Sequence, residues 1–92
     1  MDKVYFKPAV DFTFKSVVAL RAQLYQALMK DESLRFGLDL SEVKHCDSAG
    51  LALLIEIRKL CKKNNKVFEI IGMSAKTRSL AEFCGVKDIL ET

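Results

Sequence analysis

The stretch Leu34–Leu40, LRFGLDL, constrains the fold more than any other segment of the chain. Apolar side chains alternate there with Arg35, Gly37 and Asp39, which is the period of a β-strand with one well-covered face. The residues expected to face the core are Leu34, Phe36, Leu38 and Leu40. A strand covered on one face needs amphipathic helices against that face. We therefore expect an α/β fold with helices gathered mainly on one face of the sheet.

Strand and helix patterns alternate along the rest of the chain. The predicted elements are a strand over 4–6, a helix over 12–29, the strand 34–40, a helix over 47–63, a strand over 66–73, a helix that Ser74 caps and Gly85 ends, and a last strand or helical turn over 86–90. The predicted order is β-α-β-α-β-α-β. Short connections favour a mainly parallel sheet of about four strands, and 92 residues are enough for a single domain, 1–92.

The helix over 47–63 carries two apolar stripes. At about 100° per residue, one stripe forms the predicted core face and comprises Gly50, Leu53, Leu54, Ile57, Leu60 and Cys61. The other side holds Ser48, Leu51, Ala52 and Ile55, followed by Lys59 and Lys62. Because grouped exposed apolar residues mark contact surfaces, this second stripe is a candidate partner-binding site. The alternative, that another element covers Leu51 and Ile55, remains open.

The segment His45–Ser48, HCDS, could be a metal site, a hydrolase site or a helix start. Adjacent side chains rarely converge on one metal ion, and the chain has a single histidine. No G-x-S-x-G elbow surrounds Ser48, as many serine hydrolases require. We therefore predict no catalytic, metal-binding or cofactor-binding residues here. Instead we predict that Asp47 or Ser48 caps the helix, which leaves an exposed serine able to hold a phosphate.

Charge and cysteine content narrow the possible functions. A formal charge of +3 does not by itself indicate nucleic-acid binding. A basic group follows the apolar part of the second helix and comprises Arg58, Lys59, Lys62, Lys63 and Lys66. It is either a solvated face or a contact for an acidic partner or anionic lipid heads. Three cysteines without CxxC spacing suggest reduced thiols in the cytosol, and we expect Cys61 and Cys84 to be buried. The chain does not open like a signal peptide, and its apolar run 50–57 is too short to span a bilayer.

Two adjacent motifs carry a family resemblance. Asp39–Val43, DLSEV, followed by Asp47–Leu51, DSAGL, resembles the signature of STAS domains, the module of anti-sigma-factor antagonists and sulfate transporters. The similarity runs from about Phe12 to Ile89. The continuation GLALLIEI and the stretch DFTFKSV are similar to the small STAS subunits of the bacterial Mla phospholipid ABC transporters. The sequence departs from the usual STAS pattern in two ways. Only one clear strand precedes the first helix, and the Gly-Glu-Leu-Asp turn of many antagonists is absent.

The resemblance implies a STAS fold and a non-enzymatic role. In the Mla family the STAS subunit binds the cytoplasmic ATPase and supports its activity and assembly, so a protein partner is expected, with the membrane reached only through the complex. The family's phosphorylatable residue falls on Ser48. The second stripe and the predicted cap add the other candidate contact residues, so that the predicted site comprises Asp47, Ser48, Leu51, Ala52, Ile55 and Lys59. The alternative is a phospho-switched antagonist that binds a serine kinase acting as an anti-sigma factor. Neither role implies a cofactor or nucleic acid.

Overall fold

Three short parallel strands form the sheet in the part of the chain that the structure, a computed structural model, describes: residues 5–30 and 32–91. The elements in chain order are β1 (Tyr5–Phe6), α1 (Val17–Lys30), β2 (Arg35–Asp39), α2 (Ser48–Lys63), β3 (Val67–Ile71), α3 (Ala75–Phe83) and α4 (Lys87–Glu91). No helix in these ranges is both long and apolar enough to cross a bilayer.

The sheet order is β1-β2-β3, and both strand pairs are parallel. Leu38 at the centre is aligned with Phe6 on one side and Ile70 on the other. This confirms the mainly parallel sheet. The expected fourth strand is not found among the described residues, because the segment that could be a strand or a helical turn forms α4. Val4, expected in the first strand, lies outside those residues.

The two faces of the sheet differ as the alternation predicted. Phe36, Leu38 and Leu40 are at most 3% exposed and belong to one hydrophobic cluster with the buried residues of the helices. The opposite face is polar at its centre, where Tyr5 Oη donates a hydrogen bond to Glu69 Oε1 over 2.9 Å. The helices therefore pack against one face. Leu34 departs from the pattern and is exposed, because it precedes the first residue of β2.

The ring of Tyr5 lies over Gly37 on the polar face. A Cβ atom at Gly37 would stand 2.4 Å from Cδ2 of Tyr5, well inside van der Waals contact. Glycine at this position therefore leaves room for the ring. Tyr5 and Gly37 can then be paired directly between β1 and β2.

Helix α1 begins at Val17, five residues later than the predicted start. Phe12 is instead held in an isolated parallel bridge to Cys46, and a turn follows it. The buried side chains of α1 recur every four residues, at Leu20, Leu24 and Leu28. Phe14 and Val18 belong to the apolar spacing that predicted this helix, yet both are exposed. Phe14 precedes α1, and Val18 lies about 160° around the helix from Leu20.

Both predicted boundaries of α3 are confirmed. Ser74 caps the helix, since its Oγ accepts a hydrogen bond from the backbone N–H of Thr77 over 3.1 Å. The helix ends at Phe83, two residues before Gly85. Helix α2 also ends as predicted, at Lys63 and just before Asn64 and Asn65.

Candidate functional site

The starts of α1 and α2 are joined by a set of hydrogen bonds that we call the clasp, formed by residues 11–14 and 44–50. The carboxylate of Asp47 is at its centre. Its Oδ1 accepts from the backbone N–H of Gly50, and its Oδ2 accepts from the backbone N–H of Phe14, both over 3.0 Å. One side chain therefore caps α2 and also fixes the turn that leads into α1. The predicted cap is confirmed and is Asp47.

A second carboxylate closes the clasp from the other side. Oδ1 of Asp11 accepts from the backbone N–H groups of Lys44 and His45, each over 3.1 Å. Backbone hydrogen bonds link the same segments, from Phe12 N–H to the His45 carbonyl (2.9 Å) and from Asp47 N–H to the Phe12 carbonyl (3.0 Å). These hydrogen bonds pair backbone groups of both segments and tie the two segments together.

Gly50 lets the first turn of α2 approach the clasp closely. A Cβ atom there would lie 2.1 Å from the carbonyl oxygen of Phe12, and the obstacle is backbone that cannot rotate away. Phe12 itself is completely buried. The small residue in the DSAGL motif thus has a packing reason within this chain, which the sequence alone did not reveal.

Charge at the clasp follows from these contacts. The hydrogen bond from the Phe14 N–H, and then that from Gly50, lowers the pKa of Asp47, because both favour the ionised carboxylate. Burial raises the pKa of the Cys46 thiol to about 11, with the Asp47 charge adding to the effect. Cys46 is therefore a protonated thiol at neutral pH and a poor nucleophile.

Ser48 is the first residue of α2, and its side chain is exposed beside the clasp. Ala52 and Lys59, on the same stripe, are exposed as well. Leu51 is buried: only 3% of the residue is accessible, and it belongs to the hydrophobic core. The prediction that Leu51 lies on an exposed contact face is therefore wrong. Ile55 is half-buried and packs against that core. The predicted stripe thus divides into an exposed and a buried part.

Two exposed apolar residues from the predicted first helix lie near Ser48. Phe14 is 69% exposed, and its backbone is held by the carboxylate that caps α2. Val18, one helical turn later, is 80% exposed. We call Phe14, Val18, Ser48 and Ala52 the helix-start surface. The sequence signal for this surface would have been Ser16, which marks a late start of α1. Its hydroxyl oxygen accepts a hydrogen bond from the backbone N–H of Thr13 over 3.1 Å.

A shallow groove of about 140 Å³ runs between α1 and α2 from this surface. Its lining is Val17, Val18, Arg21, Ala49, Ala52, Leu53 and Glu56. At its far end Arg21 Nε lies 2.7 Å from Glu56 Oε2, and Tyr25 donates its hydroxyl hydrogen to the same oxygen. These two contacts hold α1 beside α2, and they lower the pKa of Glu56, the Tyr25 hydrogen bond most.

The remaining candidate groups do not gather into a second site. Across 5–30 and 32–91, no three His, Cys, Asp or Glu side chains are grouped as a metal ion would require. Cys61 is buried, as predicted. Cys84 is exposed, which contradicts the prediction, because the end of α3 turns toward solvent and the preceding Phe83 is 89% exposed.

The motif, the parallel sheet and the clasped helix starts agree with the family comparison. A family model described as "Mlab, STAS domain" matches residues 9–91, which is most of the chain. A comparison with curated proteins found no match. The matched region includes the whole clasp, α1–α4 and both longer strands. The chain belongs to the MlaB-like family of STAS domains.

Proposed function

We propose that this chain is a non-enzymatic subunit that binds the ATPase of a phospholipid-transport ABC complex and supports its activity and assembly. Membership of the MlaB-like STAS family supports the proposal, together with the resemblance of the DSAGLALL segment to Mla subunits. The observation that carries it is the exposed helix-start surface beside a rigid clasp. STAS domains act through protein–protein contacts, and this surface provides one.

The helix-start surface has the composition of a protein contact. Phe14 supplies an aromatic side chain, and the small side chain of Ala52 allows a partner backbone to approach closely. The hydrogen bonds of Asp47 hold these residues in place before binding, so little conformational entropy is lost when the partner docks. Lys59, two turns beyond Ala52, offers a charged contact at the rim.

In this proposal the chain performs no chemistry and needs no cofactor. It acts in the cytoplasm at the inner membrane, which it reaches through the complex. The transported lipid contacts other subunits. The contribution of this chain is to hold the ATPase in its assembled form.

Three variants test the contact. Ser48→Glu places a charge at a helix N-terminus, which the helix dipole tolerates, but that charge is desolvated in a bound complex. We expect the melting temperature to be kept and affinity for the purified ATPase subunit to fall by more than about a hundredfold. Ser48→Ala should bind almost as wild type does. Phe14→Ala should also weaken binding, because exposed aromatic residues are frequent interface anchors.

The matched control is Phe83→Ala, which removes an exposed phenylalanine from the end of α3. It should leave affinity and stimulated ATPase activity unchanged. If Ser48→Glu and Phe14→Ala both bind like wild type, the helix-start surface is not the contact, and the proposed subunit role loses its structural support.

The alternative role, a phospho-switched antagonist of an anti-sigma kinase, is favoured by one observation. The Ser48 side chain is exposed at the start of α2, where the helix dipole favours an added negative charge such as a phosphate. Neighbouring genes separate the two roles: an ATPase, a permease and a lipid-binding protein indicate transport, whereas a serine kinase and a phosphatase indicate the switch.

A further inference from the structure

The parallel topology places the carboxyl ends of α1 and α2 together. They lie at the amino ends of β2 and β3, opposite the clasp. Both helices lead directly into strands, and Arg35 at the start of β2 is aligned with Val67 at the start of β3. The Val67 N–H donates to the Leu34 carbonyl over 2.8 Å, and the Lys66 ammonium donates to the Ser33 carbonyl. We call residues 29–30, 32–35 and 58–67 the basic end, and Asp31, between the first two ranges, enters only the charge count of the sequence.

Charge is concentrated at the basic end. Its sequence has seven basic residues, Lys30, Arg35, Arg58, Lys59, Lys62, Lys63 and Lys66, against two acidic ones, Asp31 and Glu32. The chain as a whole has a formal charge of only +3, so the rest of the molecule is net acidic. Lys30, Lys62 and Lys63 are exposed and have no ion pair within the described residues. Helix dipoles favour Lys30 at the end of α1 and Lys62 and Lys63 at the end of α2. They do not explain Arg35 and Lys66, which lie beyond the two helices.

Exposed apolar side chains lie among these cations. Met29 in the last turn of α1 is 62% exposed, and Leu34 just before β2 is 74% exposed. Val67, bonded to Leu34 through its backbone, is 55% exposed. Cations around protruding aliphatic side chains are the combination that binds a membrane surface, where lysines meet phosphate groups and apolar side chains enter the interface.

We propose that the basic end docks directly onto an anionic phospholipid surface. Lysine predominates among its cations, and a lysine acts as a point charge that does not need the paired geometry of a specific carboxylate. No aromatic residue stands in these segments to stack on bases, which disfavours single-stranded nucleic acid. This contact is additional to the proposed function, in which the membrane is reached only through the complex. It uses the other end of α2 from the helix-start surface, and Lys59, at the rim of the protein contact, is the residue that the two contacts share.

Vesicle binding tests the proposal with the purified chain. The probes are phosphatidylcholine vesicles with and without phosphatidylglycerol, separated from free protein by flotation. We expect binding only to the anionic vesicles and a decrease with added salt. Because each lysine near such a surface changes affinity by about fivefold, Lys62→Gln/Lys63→Gln should lower binding by about 25-fold. Leu34→Ser should lower it severalfold through lost apolar insertion.

The matched control is Lys44→Gln/Lys76→Gln, which removes the same charge from two exposed lysines outside the basic end. It should bind nearly as wild type does, and the melting temperatures of all variants verify the fold. Absence of binding to anionic vesicles at low salt, or an equal loss in the control, would overturn the proposal. The proposal would also be overturned if polyglutamate or RNA bound as tightly as the vesicles and Leu34→Ser had no effect. The ligand of the basic end would then be a soluble polyanion.

Discussion

The two ends of α2 are built differently. At its start, Asp47 binds two backbone N–H groups from different parts of the chain, and Leu51 is almost completely buried. At its end, Lys62 and Lys63 project into solvent and the chain turns through Asn65, which has a left-handed φ of 58°. At the start a side chain bonds a distant segment, whereas Asn64 and Asn65 donate their N–H groups to carbonyls of the last turn itself.

This difference separates two kinds of surface. The helix-start surface is rigid because its backbone is held by Asp11 and Asp47, which suits a partner of defined shape. The basic end is defined by charge and protruding side chains, which suits a surface without defined shape, such as lipid heads. Substitutions should therefore have large effects on stability at the start of α2 and small effects at its end.

Leu51→Ala gives the largest expected effect. Truncating a leucine that is 3% exposed leaves a cavity in the core and should lower the free energy of unfolding by about 2–5 kcal/mol. Urea unfolding measures the change. Val18→Ala, at a residue that is 80% exposed, is the control and should change stability little. A Leu51→Ala protein as stable as wild type would mean that the start of α2 is no more fixed than its end.

Asp47→Ala gives an intermediate effect. Loss of the cap and of the bond to Phe14 should lower the free energy of unfolding by about 1–2 kcal/mol at neutral pH. Because the folded-state pKa of Asp47 is lowered, its contribution is present above the unfolded pKa, about 3.9, and is lost as pH falls through the folded value. Asp47→Ala should thus show a shallower loss of stability in acid, and Asp47→Asn should keep part of the cap. Thermal unfolding followed from neutral to acidic pH would test this, and an unchanged acid profile in Asp47→Ala would contradict it.

Lys62→Gln gives the smallest effect. Removing one exposed cation from the last turn of α2 should lower the free energy of unfolding by no more than about 0.3–1 kcal/mol, through the helix dipole. Added salt should reduce even this difference. Melting curves at low and high ionic strength measure it. A loss as large as that of Asp47→Ala would show that the end of α2 is also held by specific contacts.

Residues whose burial depends on local period were predictable. The alternation in β2 correctly placed Phe36, Leu38 and Leu40, and the spacing in α2 placed Leu54 and Ile57. Leu51 was missed because it lies only about 60° from Leu54 around the helix, so the width of the covered face decides its burial. That width depends on how closely the clasp and α1 approach α2, which the sequence of α2 does not contain.

The helix-start surface was half predictable. Ser48 followed from the motif and Ala52 from the second stripe, since both depend only on the period of their own helix. Phe14 and Val18 belong to the apolar spacing that predicted a helix beginning at Phe12. The bridge between Phe12 and Cys46, formed across 34 residues of sequence, delays the helix and leaves Phe14 in the turn before it, whereas Val18 falls on the face of α1 opposite Leu20.

The close contact between Tyr5 and Gly37 has an evolutionary consequence. Any residue with a side chain at position 37 meets the ring at 2.4 Å, so it is tolerated only after position 5 has become smaller. Shortening Tyr5 removes its hydrogen bond to Glu69, whereas the contact of Glu69 with Arg35, at 4.0 Å, does not depend on the ring. The order of substitutions is therefore constrained. Lineages of this domain should therefore rarely combine a side chain at position 37 with an aromatic residue at position 5, and a pairwise covariation between the two positions would record the ring lying on the glycine.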